Sequence, residues 1–115
     1  METKTIEVIL SVVLFKENDT TIAYCPALDL YGYGYTESEA KESFDIAFSE
    51  FLSYALNKKT LEKELLKLGW VRKSKTSKKL NPPTLVDTLS KNKELQKIFN
   101  TSEVIKYNKP VPAFA

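Results

Sequence analysis

The chain has no histidine and a single cysteine, Cys25, among its 115 residues. Without histidine, Ser-His and Cys-His nucleophilic pairs, zinc–histidine sites and imidazole acid/base chemistry are excluded within the chain. One cysteine excludes an internal disulfide and any multi-cysteine metal site. Apolar runs long enough to span a bilayer are also missing. The start, Met1-Glu2-Thr3-Lys4, lacks the basic region, apolar stretch and cleavage site of a signal peptide. A cytoplasmic protein without membrane segments or cofactors is expected. Carboxylates, lysines and tyrosines are the remaining catalytic candidates, so the composition leans toward binding.

Apolar residues make up 43% of the chain and charged residues 28%. This balance fits one globular domain that needs no disulfide or metal staple. The net charge of +2 hides an asymmetry. Residues 1–66 hold 6 Lys against 12 Asp/Glu, a net of −6, whereas residues 67–115 hold 11 Lys/Arg against 3 Asp/Glu, a net of +8. An acidic body with a basic second half points to a docking surface, a nucleic-acid contact or internal complementarity.

Thr5 to Phe15 reads as a strand that is apolar on both faces beyond Glu7, hence central and covered on both sides. Lys16–Thr20 supplies a hairpin turn, and Thr21–Cys25 forms a second strand that Pro26 ends. Leu30–Tyr35 reads as a third strand, with Tyr31, Tyr33 and Tyr35 on one face and Gly32 and Gly34 on the other. Glycines in a strand mark a close neighbour, here a helix. Thr36-Glu37-Ser38-Glu39 is a capping box opening that helix, which runs to Lys58 with Ala40, Phe44, Ala47, Phe48, Phe51 and Ala55 as its apolar stripe. Thr60 caps a short second helix through Leu68. Gly69 suits its left-handed C′ position, with Trp70 as an apolar lid. Thr84-x-x-Asp87 opens a third helix to about Phe99, with Leu85, Leu89, Leu95 and Phe99 on one face. Val104–Val111 is the last strand, its pairing limited by Pro110 and Pro112.

The segment Ile22-Ala23-Tyr24-Cys25-Pro26-Ala27-Leu28-Asp29-Leu30, followed by Gly34-Tyr35-Thr36-Glu37-Ser38-Glu39-Ala40, resembles the HicB-like antitoxin family of type II toxin–antitoxin systems. Its members read "aromatic-x-Ala-x-x-Pro-x-Leu", then a short strand, then "Gly-Asp-Thr-x-x-Glu-Ala". Tyr35 stands at the usual Asp. The match covers residues 5–58. The resemblance implies a partly degraded ribonuclease H-like fold of class α+β: a three-stranded antiparallel meander covered by one long helix, with the C-terminal strand returning beside the first. A helix-containing crossover would make that last pairing parallel and right-handed. The expected layout is a βββα core with a short helix in residues 1–70, a basic linker in 71–83, and a helix and strand packing back in 84–115.

The resemblance also implies a non-enzymatic antitoxin, or a module derived from one, that occludes a small basic RNA-cleaving toxin of the HicA type. Candidate contacts are Tyr31, Tyr33 and Tyr35 together with the helix acids Glu42, Asp45 and Glu50. The alternative is a solitary nucleic-acid-binding regulator acting through Arg72, Lys73, Lys75, Lys78 and Lys79. No C-terminal helix-turn-helix or ribbon-helix-helix is evident, which leaves DNA binding unsupported. A nuclease would need converging carboxylates. Asp19 and Asp29 fall in loops, and Glu37 and Glu39 belong to the helix cap. The exposed third strand offers an edge for pairing, so a homo-oligomer is expected.

Overall fold

The computed structural model describes residues 6–58, 61–72 and 80–112. Strand β1 (Ile6–Glu17) turns through Asn18-Asp19 into β2 (Thr20–Cys25). Asn18 takes the positive φ of 58° that this tight turn needs, a conformation asparagine tolerates. β2 stops before Pro26, and β3 (Leu30–Gly34) completes the meander. Helix α1 (Glu37–Lys58) follows, then α2 (Leu61–Lys67), a short hairpin of β4 (Val71–Arg72) and β5 (Leu80–Asn81), the helices α3 (Leu85–Lys91) and α4 (Lys93–Thr101), and β6 (Ile105–Pro112). The main sheet has the order β3-β2-β1-β6, so β1 is interior as its apolar faces demand.

α1 covers one face. It packs Ala40, Phe44 and Phe48 over Leu10, Val12, Leu14, Ala23 and Cys25. Each large side chain so buried contributes roughly 1.5–3 kcal/mol. α3 and α4 cover the other face, where Leu95 is buried against Val13, Phe15, Ile22 and Tyr24, flanked by Leu85, Leu89, Ile98 and Phe99. The sheet is therefore the middle layer of three. At the far end α2 closes with Gly69 at φ 98°. Trp70 N–H reaches Leu65 O and Gly69 N–H reaches Leu66 O, the paired bonds of a Schellman cap. Trp70 is buried, and its indole Nε1–H donates to Ala27 O at 2.8 Å, tying α2 to the β2–β3 connection.

Two expectations change. β6 pairs with β1 antiparallel, not parallel. A lone α1 crossover would have returned the chain in the direction of β1. Here α3 begins beside Ile9–Ser11 and α4 ends beside Leu14–Lys16, so the pair traverses the sheet a second time and β6 enters from the opposite end. The third helix is two helices, because Asn92 leaves helical backbone at φ −114° and caps α4 by accepting from Leu95 N–H at 3.0 Å. The apolar residues of both pieces still meet the same face of the sheet. Within the expected linker 71–83, Val71 and Arg72 pair with Asn81 and Leu80. Thr60, expected to cap α2, lies outside the described residues.

The sheet carries its prolines on an edge strand, where Pro110 and Pro112 cost least. Gly32 is where the packing is tightest. A Cβ there would lie 2.3 Å from Phe44 N and 2.5 Å from Ala40 O, both backbone atoms of α1. Gly32→Ala should therefore cost about 2–3 kcal/mol or more in urea unfolding. Gly69→Ala, which strains a positive φ and meets only Pro83 Cγ at 4.0 Å, should cost about 1 kcal/mol. A Gly32→Ala protein of near wild-type stability would show that α1 is not seated this closely.

Candidate functional site

The close approach of α1 fixes where the tyrosines go. Gly32 and Gly34 face the helix, so Tyr31 and Tyr33 project from the opposite side of the sheet. They are 42% and 54% exposed, and Tyr35, just beyond the strand, is 78% exposed. Tyr31 stacks on its cross-strand partner Tyr24 with ring centroids 4.3 Å apart. Tyr33 continues the stack, 6.1 Å from Tyr31 and nearly parallel to it. Offset stacking of this kind adds about 0.5–1.5 kcal/mol per pair beyond burial and holds the rings in one orientation.

Tyr24 anchors the ladder. Its hydroxyl donates to Asp29 Oδ1 at 3.0 Å, and Asp29 itself sits at a positive φ of 53°. Burial and the adjacent Asp29 carboxylate hold the Tyr24 phenol protonated well above its ordinary range. Burial likewise raises Tyr31, with the negative charges of Asp29 and Glu94 adding to it.

The candidate contacts lie on two faces. Glu42, Asp45 and Glu50 are exposed on α1, across the sheet from the tyrosine rings, so they do not form one continuous patch with them. Asp45 is also engaged, because Lys109 of β6 pairs with it at 2.9 Å. Beside that pair, Lys41 lies over the Tyr107 ring at 4.7 Å, and these contacts clamp β6 to α1. Of the basic candidates, Arg72 is ion-paired with Glu62 of α2. Lys73, Lys75, Lys78 and Lys79 lie outside the described residues.

The expected free edge is partly occupied. Tyr33 N–H on the edge strand donates to Ser43 Oγ at 3.0 Å, and Tyr35 N–H donates to Glu39 Oε1 at 2.9 Å. Glu39 also accepts from Thr36 N–H while its own N–H donates to Thr36 Oγ1, completing the capping box. Among the described residues, no group of three or more His, Cys, Asp or Glu is placed to hold a metal ion, and no helix is long and apolar enough to cross a membrane.

Sequence reasoning missed the other wall of the tyrosine face. A groove of about 540 Å³ runs between Tyr31 and Tyr33 on one side and Glu94 and Ile98 of α4 on the other, with Glu17 at the hairpin end. The Asn92 cap, an Asn three residues before a buried leucine, was the signal that could have placed Glu94 in the first turn of its own helix. Comparison with protein-family models, curated proteins and solved structures gives no match for this chain.

Two titrations should report on this packing. Cys25 is fully buried, and burial pushes its thiol up to about 11. Tyr107 is pushed up to about 12 by burial and the nearby Asp45 carboxylate. In the unfolded chain these groups ionise at their ordinary values of 9.0 and 10.0. Their contribution to stability is thus full below pH 9.0 and is lost as pH rises through the folded values. Thermal melts should show the midpoint falling from pH 9.0 upward, and Cys25→Ala should flatten the first limb of that fall. An unchanged slope in the variant would mean that the thiol is not held in the dry core. Trp70→Phe, which leaves Ala27 O without its buried donor, should cost about 1–3 kcal/mol in the same assay.

Proposed function

We propose that this chain is a non-catalytic binding module of the HicB-like antitoxin type, whose partner is a small basic RNA-cleaving protein of the HicA type. Occlusion of the partner's RNA-binding surface suffices for inhibition, with no chemistry required of the chain itself. The observation that carries the reading is the stacked, outward-facing tyrosine ladder on the acidic half of the chain. Tyrosine supplies large, rigid contact area at low entropic cost and concentrates at protein interfaces. The net charge of −6 over residues 1–66 complements a basic partner and would accelerate encounter with it.

The residues behind the family resemblance have physical work in the fold. Pro26, Ala27 and Leu28 are buried in the β2–β3 connection, while Thr36 and Glu39 close the cap that starts α1. The finer reading of the fold, a ribonuclease H-like core reduced to its meander and long helix, belongs to the same proposal. The antiparallel β6 is a departure from it.

Some of the acidic side chains have structural roles. Asp29 holds Tyr24, Glu39 caps α1, Asp45 pairs with Lys109 and Glu62 pairs with Arg72. The test is affinity purification from the native host with and without nuclease treatment. We expect a stoichiometric small basic protein that survives nuclease, cleaves RNA when separated, and loses that activity when the purified chain is added back. Recovery of nucleic acid alone, or of a partner whose RNA cleavage the chain leaves unchanged, would overturn the reading.

A further inference from the structure

We propose that the groove between the Tyr31–Tyr33 face and α4 is the docking site for an arginine- or lysine-bearing segment of the basic partner. This rests on the binding-module reading above and assigns the contact to one of the two faces. The groove is lined by Phe15, Ile22 and Ile98 in its apolar parts, by the two tyrosine rings, and by the carboxylates of Glu17 and Glu94. Among the described residues, no lysine or arginine lines it. Parallel aromatic faces with carboxylates at the rim are the surroundings a desolvated cation prefers, since ring quadrupole and carboxylate attract it together.

The same observations select the class of partner. Stacked tyrosines alone would also suit nucleobases. The carboxylates of Glu17 and Glu94, with Asp29 close enough to act on Tyr31, repel the phosphates that nucleic acid would bring. A peptide adding to the edge of β3 is disfavoured too, because Tyr33 N–H is held by Ser43. Recognition therefore runs through side chains rather than through a shared strand ladder. The acids of α1 lie on the other face and are not part of this contact.

The test is an amide NMR titration of the full chain with three probes: an acetylated, amidated Gly-Arg-Gly-Arg-Gly peptide, the same peptide with citrulline for arginine, and a pyrimidine single-stranded oligonucleotide. The arginine peptide should saturably shift the amides of Tyr31, Tyr33, Glu94 and Ile98, and the citrulline peptide should not. Glu94→Gln and Tyr33→Ala should each weaken binding about 10-fold. Glu50→Gln on the opposite face should change it by less than about twofold. Shifts spread evenly over the acidic surface, equal losses in Glu94→Gln and Glu50→Gln, or no shift at all would overturn the assignment. So would oligonucleotide binding at the same amides that tightens in Glu94→Gln.

Failure here is separable from failure of the proposed function. A basic partner held equally well by wild type, Tyr33→Ala and Glu94→Gln would remove the groove and leave the binding module standing. A groove that takes the arginine peptide in a host yielding no such partner would do the reverse.

Discussion

The structure depends on one steric constraint, the approach of α1 to β3 across two glycines. A methyl group at Gly32 or Gly34 would fall within 3 Å of backbone atoms of the helix. Because strand side chains alternate, placing the glycines toward the helix commits Tyr31 and Tyr33 to the far side. The same contact puts Ser43 against the N–H of Tyr33 and so covers part of a strand edge that would otherwise template association. Core packing, the direction of the tyrosines and protection of the edge thus share a cause.

The second layer explains why the tyrosines are only partly covered. α3 and α4 seat Leu85, Leu89, Leu95, Ile98 and Phe99 over β1 and β2. They do not extend across β3, so Tyr24 is buried while its cross-strand partner Tyr31 is not. The boundary between covered and uncovered sheet is the groove that Glu94 and Ile98 wall. The return of β6 antiparallel to β1 follows from the same helix pair, which carries the chain back along the sheet before the last strand begins.

Electrostatic contacts reinforce these layers locally. Lys109 joins β6 to Asp45 of α1, and Arg72 joins the β4–β5 hairpin to Glu62 of α2. As exposed pairs each contributes modestly. Their larger consequence is that the basic second half of the chain meets some of the acids of the first half. Internal complementarity therefore accounts for part of the charge asymmetry, and the acids around the tyrosine ladder stay outside it.

Much of this was written locally in the chain. The two-sided apolar pattern of β1 made it interior, Thr36 and Glu39 set the start of α1, Gly69 closed α2, and the alternation of Tyr and Gly in β3 assigned its faces. Each is legible because the deciding interaction lies within a few residues or follows a fixed period. The direction of β6 and the groove wall at Glu94 were decided only by tertiary structure. They depend on how many times the chain crosses the sheet and on which face each helix settles. No local pattern records that, because either face of β1 was apolar enough to receive either helix layer.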